Sequence, residues 1–246
     1  MSAPSELHQR LHENQLTIAA RHRGGMSRRP DGVEILSGDE ELRYLILEAP
    51  PAGALPRGCH SIRVMPWAGD LSLRLLALGF RLQGGLLYMS LRREPPPPPE
   101  VSGHRVERAL TPEALAAFTR IQLEAFPELQ DARQRRFDFL LASQLRNVAD
   151  PSHYYLLGYQ EERPVSAGLL LRTGGVGGIY SLATVPELRG QGLSRVLISR
   201  LVDEARGSGC DVIALQVSSG APAERLYRRL GFCPEFEVLL YERGGG

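Results

Sequence analysis

Arg189, Gly190, Gln191, Gly192, Leu193 and Ser194 are the residues of this 246-residue chain whose types and spacing best suit chemistry. An apolar run from Ile179 to Val185 precedes them. An amphipathic stretch follows, in which Leu193, Val196, Leu197 and Leu201 recur at i, i+3, i+4 and i+8 while Arg195, Arg200, Asp203 and Glu204 take the other side. The first-turn N–H groups of a helix have no partner inside it, the helix dipole favours negative charge there, and glycines let an anion approach the backbone. The expected chemistry is phosphate binding by main-chain amides, which needs no basic side chain. All 29 basic residues are arginine, a bias we ascribe to a GC-rich genome, so no lysine amine serves as a base or Schiff-base nucleophile.

Other clusters offer less. His8 and His12 stand at i, i+4, a metal-ligand spacing, but without a Glu beside them or a third ligand the expectation is a solvated helix face. The glycines at 174, 175, 177 and 178 precede a strand rather than open a helix, which makes them a hairpin tip and not a dinucleotide fingerprint. Arg21, His22, Arg23, Arg28 and Arg29 have no interleaved aromatic residues for base stacking, and the formal charge of +1 argues against a nucleic-acid binder. Cys59, Cys210 and Cys233 are odd in number and far apart, so neither a disulfide framework nor a zinc site is expected, and a reducing cytoplasm fits. The N-terminus lacks the basic start and apolar core of a signal peptide, and no apolar run approaches the ~20 residues of a membrane helix. A cytoplasmic protein with no metal and no nucleic-acid or membrane partner is the expectation.

The elements that must position the glycine turn are readable in outline. Residues 4–23 suggest a polar helix with Leu7, Leu11 and Ile18 inward, followed by a loop rich in arginine and glycine. Strands are expected at 33–36, 43–48 and 61–65, a helix at 71–78 closed by Gly79, and a hairpin or bulged strand at 80–92 around Gly84 and Gly85. Five prolines at 95–99 form only a stiff polyproline II spacer of about 3.1 Å per residue, so the domain boundary is placed there. The expected division is residues 1–94, a linker at 95–99, and residues 100–246. Beyond it come a strand at 104–110, helices to about 126 (with Thr111 as N-cap and Pro112 at N1) and at 132–145, and an antiparallel meander at 154–159, 165–172 and 178–185. After the motif helix follow a strand at 212–218, a helix at 222–230 closed by Gly231, and a strand at 236–242.

From residue 95 onward this order resembles the GNAT superfamily of acyl-CoA-dependent N-acyltransferases. Arg189 to Ser194 matches that family's [QR]-x-x-G-x-[GA], and Leu226, Tyr227, Arg228, Arg229, Leu230, Gly231 and Phe232 resemble its L-Y-x-k-x-G-F. Ser194 replaces the final Gly or Ala, and Gly220 stands where many members carry Asn. The resemblance implies an α/β (α+β mixed sheet) acyl-CoA acyltransferase fold. It also implies acetyl-CoA as cosubstrate and a primary amine acceptor, small molecule or protein, attacking directly in a ternary complex of a monomer or homodimer. Ala183, Thr184 and Val185 would lie along the pantetheine and thioester on a strand splayed from its neighbour, with the Val185 N–H stabilising the oxyanion. Arg189, Gly190, Gln191, Gly192, Leu193 and Ser194 would cradle the pyrophosphate, and Ala223 would border the cofactor. Tyr227 would donate a proton to the departing thiolate, or else is a core tyrosine. The base stays open among Glu124, Glu128, Tyr180, Ser181 and a water chain. The alternative reading is a non-catalytic acyl-CoA sensor or interaction module with the same fold.

The first half looks like a second, degenerate copy. Leu75, Gly79 and Phe80 correspond to Tyr227, Gly231 and Phe232, 152 residues on, each set leading into an apolar strand. Leu75 replaces the tyrosine, and no R-x-x-G-x-G lies between a strand and an amphipathic helix there; Arg21 to Met26 mimics the spacing only. Pro66 and Trp67 resemble an element of some tandem members of the family. The expectation is a truncated, non-catalytic GNAT-like domain.

Overall fold

The computed structural model describes residues 3–37, 43–51, 53–56, 58–126 and 133–244. In chain order these contain α1 (Glu6–Arg23), β1 (Met26–Arg29), β2 (Gly32–Ile35), β3 (Tyr44–Leu47), β4 (Ser61–Val64), α2 (Ser72–Ala77), β5 (Phe80–Leu91) and β6 (His104–Arg108). There follow α3 (Pro112–Ala125), α4 (Arg133–Asn147), β7 (His153–Gln160), β8 (Arg163–Thr173), β9 (Val176–Thr184), α5 (Leu193–Gly207), β10 (Val212–Ser218), α6 (Pro222–Arg229) and β11 (Phe232–Arg243). The mixed α/β class is as expected. No described helix is long and apolar enough to cross a membrane.

The chain forms two compact units, Met1–Arg93 with Leu215–Gly246, and Glu94–Ala214. The first junction falls beside the polyproline run. The second falls inside β10, so the last helix and strand, placed with the second domain on sequence grounds, group with the first half.

In the first unit the strand order is β1-β2-β3-β4-β11-β5, with the end of β10 next to β5. The first strand lies where a loop was expected: β1 pairs antiparallel with β2, Met26 opposite Ile35. The Ser5 side chain accepts from the His8 N–H at 3.2 Å and starts α1. That helix buries Leu11, Leu16, Ile18 and Ala19. Leu45, Leu47, Ile62, Val64, Leu75, Phe80 and Tyr241 build a core between α2 and the sheet.

β5 is one continuous strand rather than a hairpin, and its pairing with β11 gives the repeat a geometric form. Phe80 lies opposite Arg243 and Phe232 opposite Leu91. Each strand skips one residue, Gln83 on β5 and Glu235 on β11, and these two bulges are again 152 residues apart. The closing hydrogen bonds repeat too: Arg92 N–H donates to Gly231 O at 3.0 Å, and Gly244 N–H to Gly79 O at 3.0 Å. Equivalent strands paired antiparallel with equivalent bulges are related by a local pseudo-twofold axis. Where the second half has α5 between β9 and β10, the first half has only residues 48–60 between β3 and β4, with no helix among those described. β3 and β4 pair directly, Leu45 with Ile62 and Leu47 with Val64, so the first copy keeps no splayed strands there.

In the second unit β6, β7, β8 and β9 form the expected antiparallel meander, in the order β9-β8-β7-β6. The glycine cluster turns the chain between β8 and β9, with Gly174 and Gly175 at φ 54° and 75°. The Thr111 side chain caps α3 by accepting from Ala114 N–H at 3.2 Å. β8 is buried from Val165 to Leu171 on both faces, with Leu197 and Leu201 of α5 over Gly168.

The polyproline run is fastened rather than free. Glu94 forms a two-pronged pair with Arg206 at 2.7 and 2.8 Å, and Arg195 Nη2 donates to Pro97 O at 3.0 Å. The Pro99 ring lies on Gly192, so that a Cβ there would sit 2.6 Å from Pro99 Cγ. Residues 94–99 thus run as a strap along α5 to the glycine turn. Gly192→Ala adds this clash to the strain of a side chain at φ 88°, about 1–2 kcal/mol, whereas Gly190→Ala at φ 79° meets open space. Thermal denaturation should therefore show a lower Tm for Gly192→Ala than for Gly190→Ala, with the difference removed by adding Pro99→Gly. Equal melting of the two alanine variants would contradict the strap.

Candidate active site

Two glycines in the left-handed region, Gly190 and Gly192, bend the chain from the end of β9 into α5. Gly192 is the N-cap, and its carbonyl accepts from the Arg195 and Val196 N–H groups at 2.9 and 3.2 Å. The Leu193 and Ser194 amides precede those bonded positions and point out along the helix axis, where the dipole favours an anion. The space in front of Gly190 is open. These are the features of an amide cradle for a diphosphate, and the residues fit that group. Gln191 is exposed beside it.

Arg189 is occupied elsewhere. Its Nε donates to Thr184 O at 3.2 Å and its Nη2 to Ala125 O at 3.0 Å. The guanidinium therefore ties the last turn of α3 to the end of β9, satisfying carbonyls that a helix end leaves bare. The side chain positions the turn.

The strand end also corrects the oxyanion assignment. Val185 N–H donates to Val165 O at 3.0 Å, so its proton has an acceptor already. Ala183 lies opposite Ala167 and Thr184 opposite Ser166. Because bonded and non-bonded pairs alternate along an antiparallel ladder, the Thr184 N–H turns to the edge away from β8. Just before it the register slips, with Ser181 at φ 54°, a bulge that lets the strand bend away from its neighbour. Leu182 packs at Gly168, on the same sheet face as Thr184, and so shares its phase. The Val185 amide direction was not readable from sequence, because it depends on register, which a single strand does not encode.

Tyr227 and Ala223 lie on α6, in the other compact unit from residues 183–194. Tyr227 is 8% exposed, edge-on to Phe232 at 6.2 Å. Burial pushes its phenol up to about 12, so the hydroxyl keeps its proton at neutral pH. Before α6, Glu224 accepts from Gly220 N–H at 2.8 Å, which fixes the turn where an Asn was noted as missing. Of the open base candidates, Glu124 is half-buried near the end of α3, Tyr180 and Ser181 lie on β9, and Glu128 is outside the described residues.

The histidine pair on α1 departs from expectation. His12 is 5% exposed, its Nε2 bonded to Glu48 Oε1 at 2.7 Å and its ring edge-on to Trp67, on which His8 stacks. The missing signal was Trp67, an aromatic residue far off in sequence that turns a polar helix face inward.

A meander of antiparallel strands thus feeds a glycine turn and the N-terminus of α5. Residues 115–232 match the model of the acetyltransferase (GNAT) family. Among its relatives is the mycothiol acetyltransferase of Thermobispora bispora, 27% identical over 269 residues that cover 94% of this chain and 89% of that protein. Among solved structures, a GCN5-related N-acetyltransferase from Kribbella flavida matches with a TM-score of 0.69 at 15% identity over 96% of both chains. A tandem GNAT protein from the clavulanic acid biosynthesis pathway matches with a TM-score of 0.55 at 13% identity, over 97% of this chain and 96% of that one. At these identities the likeness of the solved structures is one of fold.

Proposed function

We propose that this acyltransferase moves an acetyl group from acetyl-CoA to a primary amine by direct attack in a ternary complex. The observation that carries the reading is the pair of left-handed glycines that leaves the Leu193 and Ser194 amides facing outward at the start of α5. In this reading the amides of residues 190–194 hold the pyrophosphate, and the strand from Leu182 to Thr184 lies along the pantetheine. The amine nitrogen attacks the thioester carbonyl, the carbonyl oxygen gains charge that an outward N–H of Leu182 or Thr184 stabilises, and the C–S bond then breaks. Tyr227, held protonated by burial, gives its proton to the leaving thiolate. The first half acts as a non-catalytic GNAT-like domain, supported by its direct β3–β4 pairing and by Leu75 in place of the tyrosine. Three free cysteines fit a cytoplasmic location.

Following free thiol while the protein is mixed with acetyl-CoA and a panel of amines, beginning with the acceptor of the mycothiol acetyltransferase relative, tests the reading. Binding with no thiol release for any amine would favour an acyl-CoA sensor instead. Tyr227→Phe should lower kcat by about 10²-fold with acetyl-CoA affinity unchanged. Full turnover in that variant would remove the acid role.

A further inference from the structure

Seven large apolar side chains are exposed among the described residues, and four of them, Leu73 (85%), Leu76 (48%), Leu78 (44%) and Leu82 (55%), fall between positions 73 and 82 of the first unit. On α2, Leu73, Leu76 and Ala77 stand at i, i+3 and i+4 and share the outward side, while Leu75 is fully buried against the sheet. Leu82 of β5 lies opposite Tyr241 of β11, and opposed residues share a sheet face. The Tyr241 hydroxyl meets Ser72 Oγ at 3.0 Å, at the first residue of α2, so Leu82 stands on the side of the sheet that α2 covers. The four leucines thus form one apolar face. A contiguous patch of this kind, rimmed by polar residues, marks a surface that another molecule covers.

The duplicated half supplies an internal control. At the offset of 152 residues α6 buries Tyr227 where α2 buries Leu75, yet its exposed positions are Arg225, Arg228 and Arg229 in place of Leu73, Leu76 and Ala77. Arg228 is paired with Glu224 at 2.8 Å, as on an ordinary solvated helix face. The corresponding short helix before the corresponding strand therefore folds without leucines on its outer side. Those on α2 answer to something outside the chain.

We propose that this face is a homodimer interface, in which α2 packs against α2 of a second copy about a twofold axis near Leu73. The rim charges favour a copy of the same chain over a lipid surface, which would be met by a rim of one sign. Asp70, just before α2, accepts from the Ser72 N–H at 3.0 Å, and neither it nor the exposed Arg74 has an ion-pair partner among the described residues. A twofold axis reverses the helix direction, so that Asp70 of each copy comes alongside Arg74 of the other. The formal charge of +1 leaves two copies free of long-range repulsion. The leucines present on the order of a few hundred Å² per copy, less than the ~800 Å² that each side of a standard interface buries. They therefore form the centre of the contact, with the charges at its edge, and the dimer is a weak one. The interface is independent of the acyl-transfer reading.

The test uses the intact chain without ligand. Sedimentation equilibrium should show monomer and dimer exchanging with a Kd of about 1–100 µM. Leu73→Arg combined with Leu76→Arg, which gives α2 the outer side chains of α6, should weaken association at least a hundredfold with an unchanged circular dichroism spectrum. A pair of cysteine variants does not depend on how α2 tolerates arginine. Leu73→Cys should be joined into a dimer by a short bis-maleimide, above the background of Cys59, Cys210 and Cys233, whereas Arg225→Cys, the equivalent position on α6, should not. A parent that stays monomeric at about 500 µM overturns the interface, and if that parent instead sediments with anionic vesicles the face belongs to a lipid surface. Association of the double arginine variant equal to that of the parent, or equal cross-linking of the two cysteine variants, overturns it as well.

Discussion

Gly190→Glu is expected to abolish acetyl-CoA binding while leaving the fold intact. The side chain enters open space at Gly190, so nothing in the protein is displaced. A carboxylate there sits at the mouth of the amide cradle. Two like charges 4 Å apart at an effective dielectric of about 20 repel by about 4 kcal/mol, which is close to a thousandfold in affinity. The strain of a side chain at φ 79° adds about 1–2 kcal/mol, and Gly190→Ala isolates it. Calorimetry should give an affinity within about fivefold of the parent for Gly190→Ala and a loss of at least a hundredfold for Gly190→Glu, a ratio set by charge alone. Equal affinities in the two variants would remove the pyrophosphate from this turn. Gly192 is a poorer place for the experiment, because any side chain there also meets Pro99.

The second large effect is expected from deleting the first half. A fragment of residues 100–246 keeps every motif residue but loses β5 and β4, between which β11 lies. Phe232, Phe236, Val238 and Tyr241 are all at most 8% exposed, and losing those strands uncovers much of them. Burying such a side chain is worth about 1.5–3 kcal/mol, so four amount to about 6–12 kcal/mol, comparable with the whole stability of a domain. β11 would in addition present two unpaired edges, an invitation to aggregate. The fragment should be insoluble or melt without a cooperative transition by circular dichroism. A soluble fragment with a sharp transition would show that the C-terminal strand does not depend on β5.

Sequence reading recovered what short-range physics determines. The glycine turn, the stripe of leucines on α5, the Thr111 cap and the meander are encoded within windows of a dozen residues, and all are present. What escaped depended on partners distant in the chain. Arg189 looked like an anion ligand until Ala125 O and Thr184 O were seen to claim it. Val185 lost its donor role to Val165 because amide direction follows from pairing. His12 became a buried residue only through Glu48 and Trp67. The polyproline run was readable as rigid but not as fastened, since its anchors lie on a helix about a hundred residues away. The repeat was visible in sequence, yet its placement was not: β5 and β11 pair with each other, and so the C-terminal strand groups with the first half.

The pairing of β5 with β11 also bears on how the protein is made. At a ribosomal rate of about 5–20 residues per second, β5 leaves the ribosome roughly 8–30 s before the strand 152 residues later that will complete it. Throughout that interval a twelve-residue strand rich in leucine has an open edge. Synthesis therefore passes through a stage in which the nascent chain is sticky by construction, and a trigger-factor-like holdase or a dilute expression regime should raise soluble yield more than any substitution at the active site.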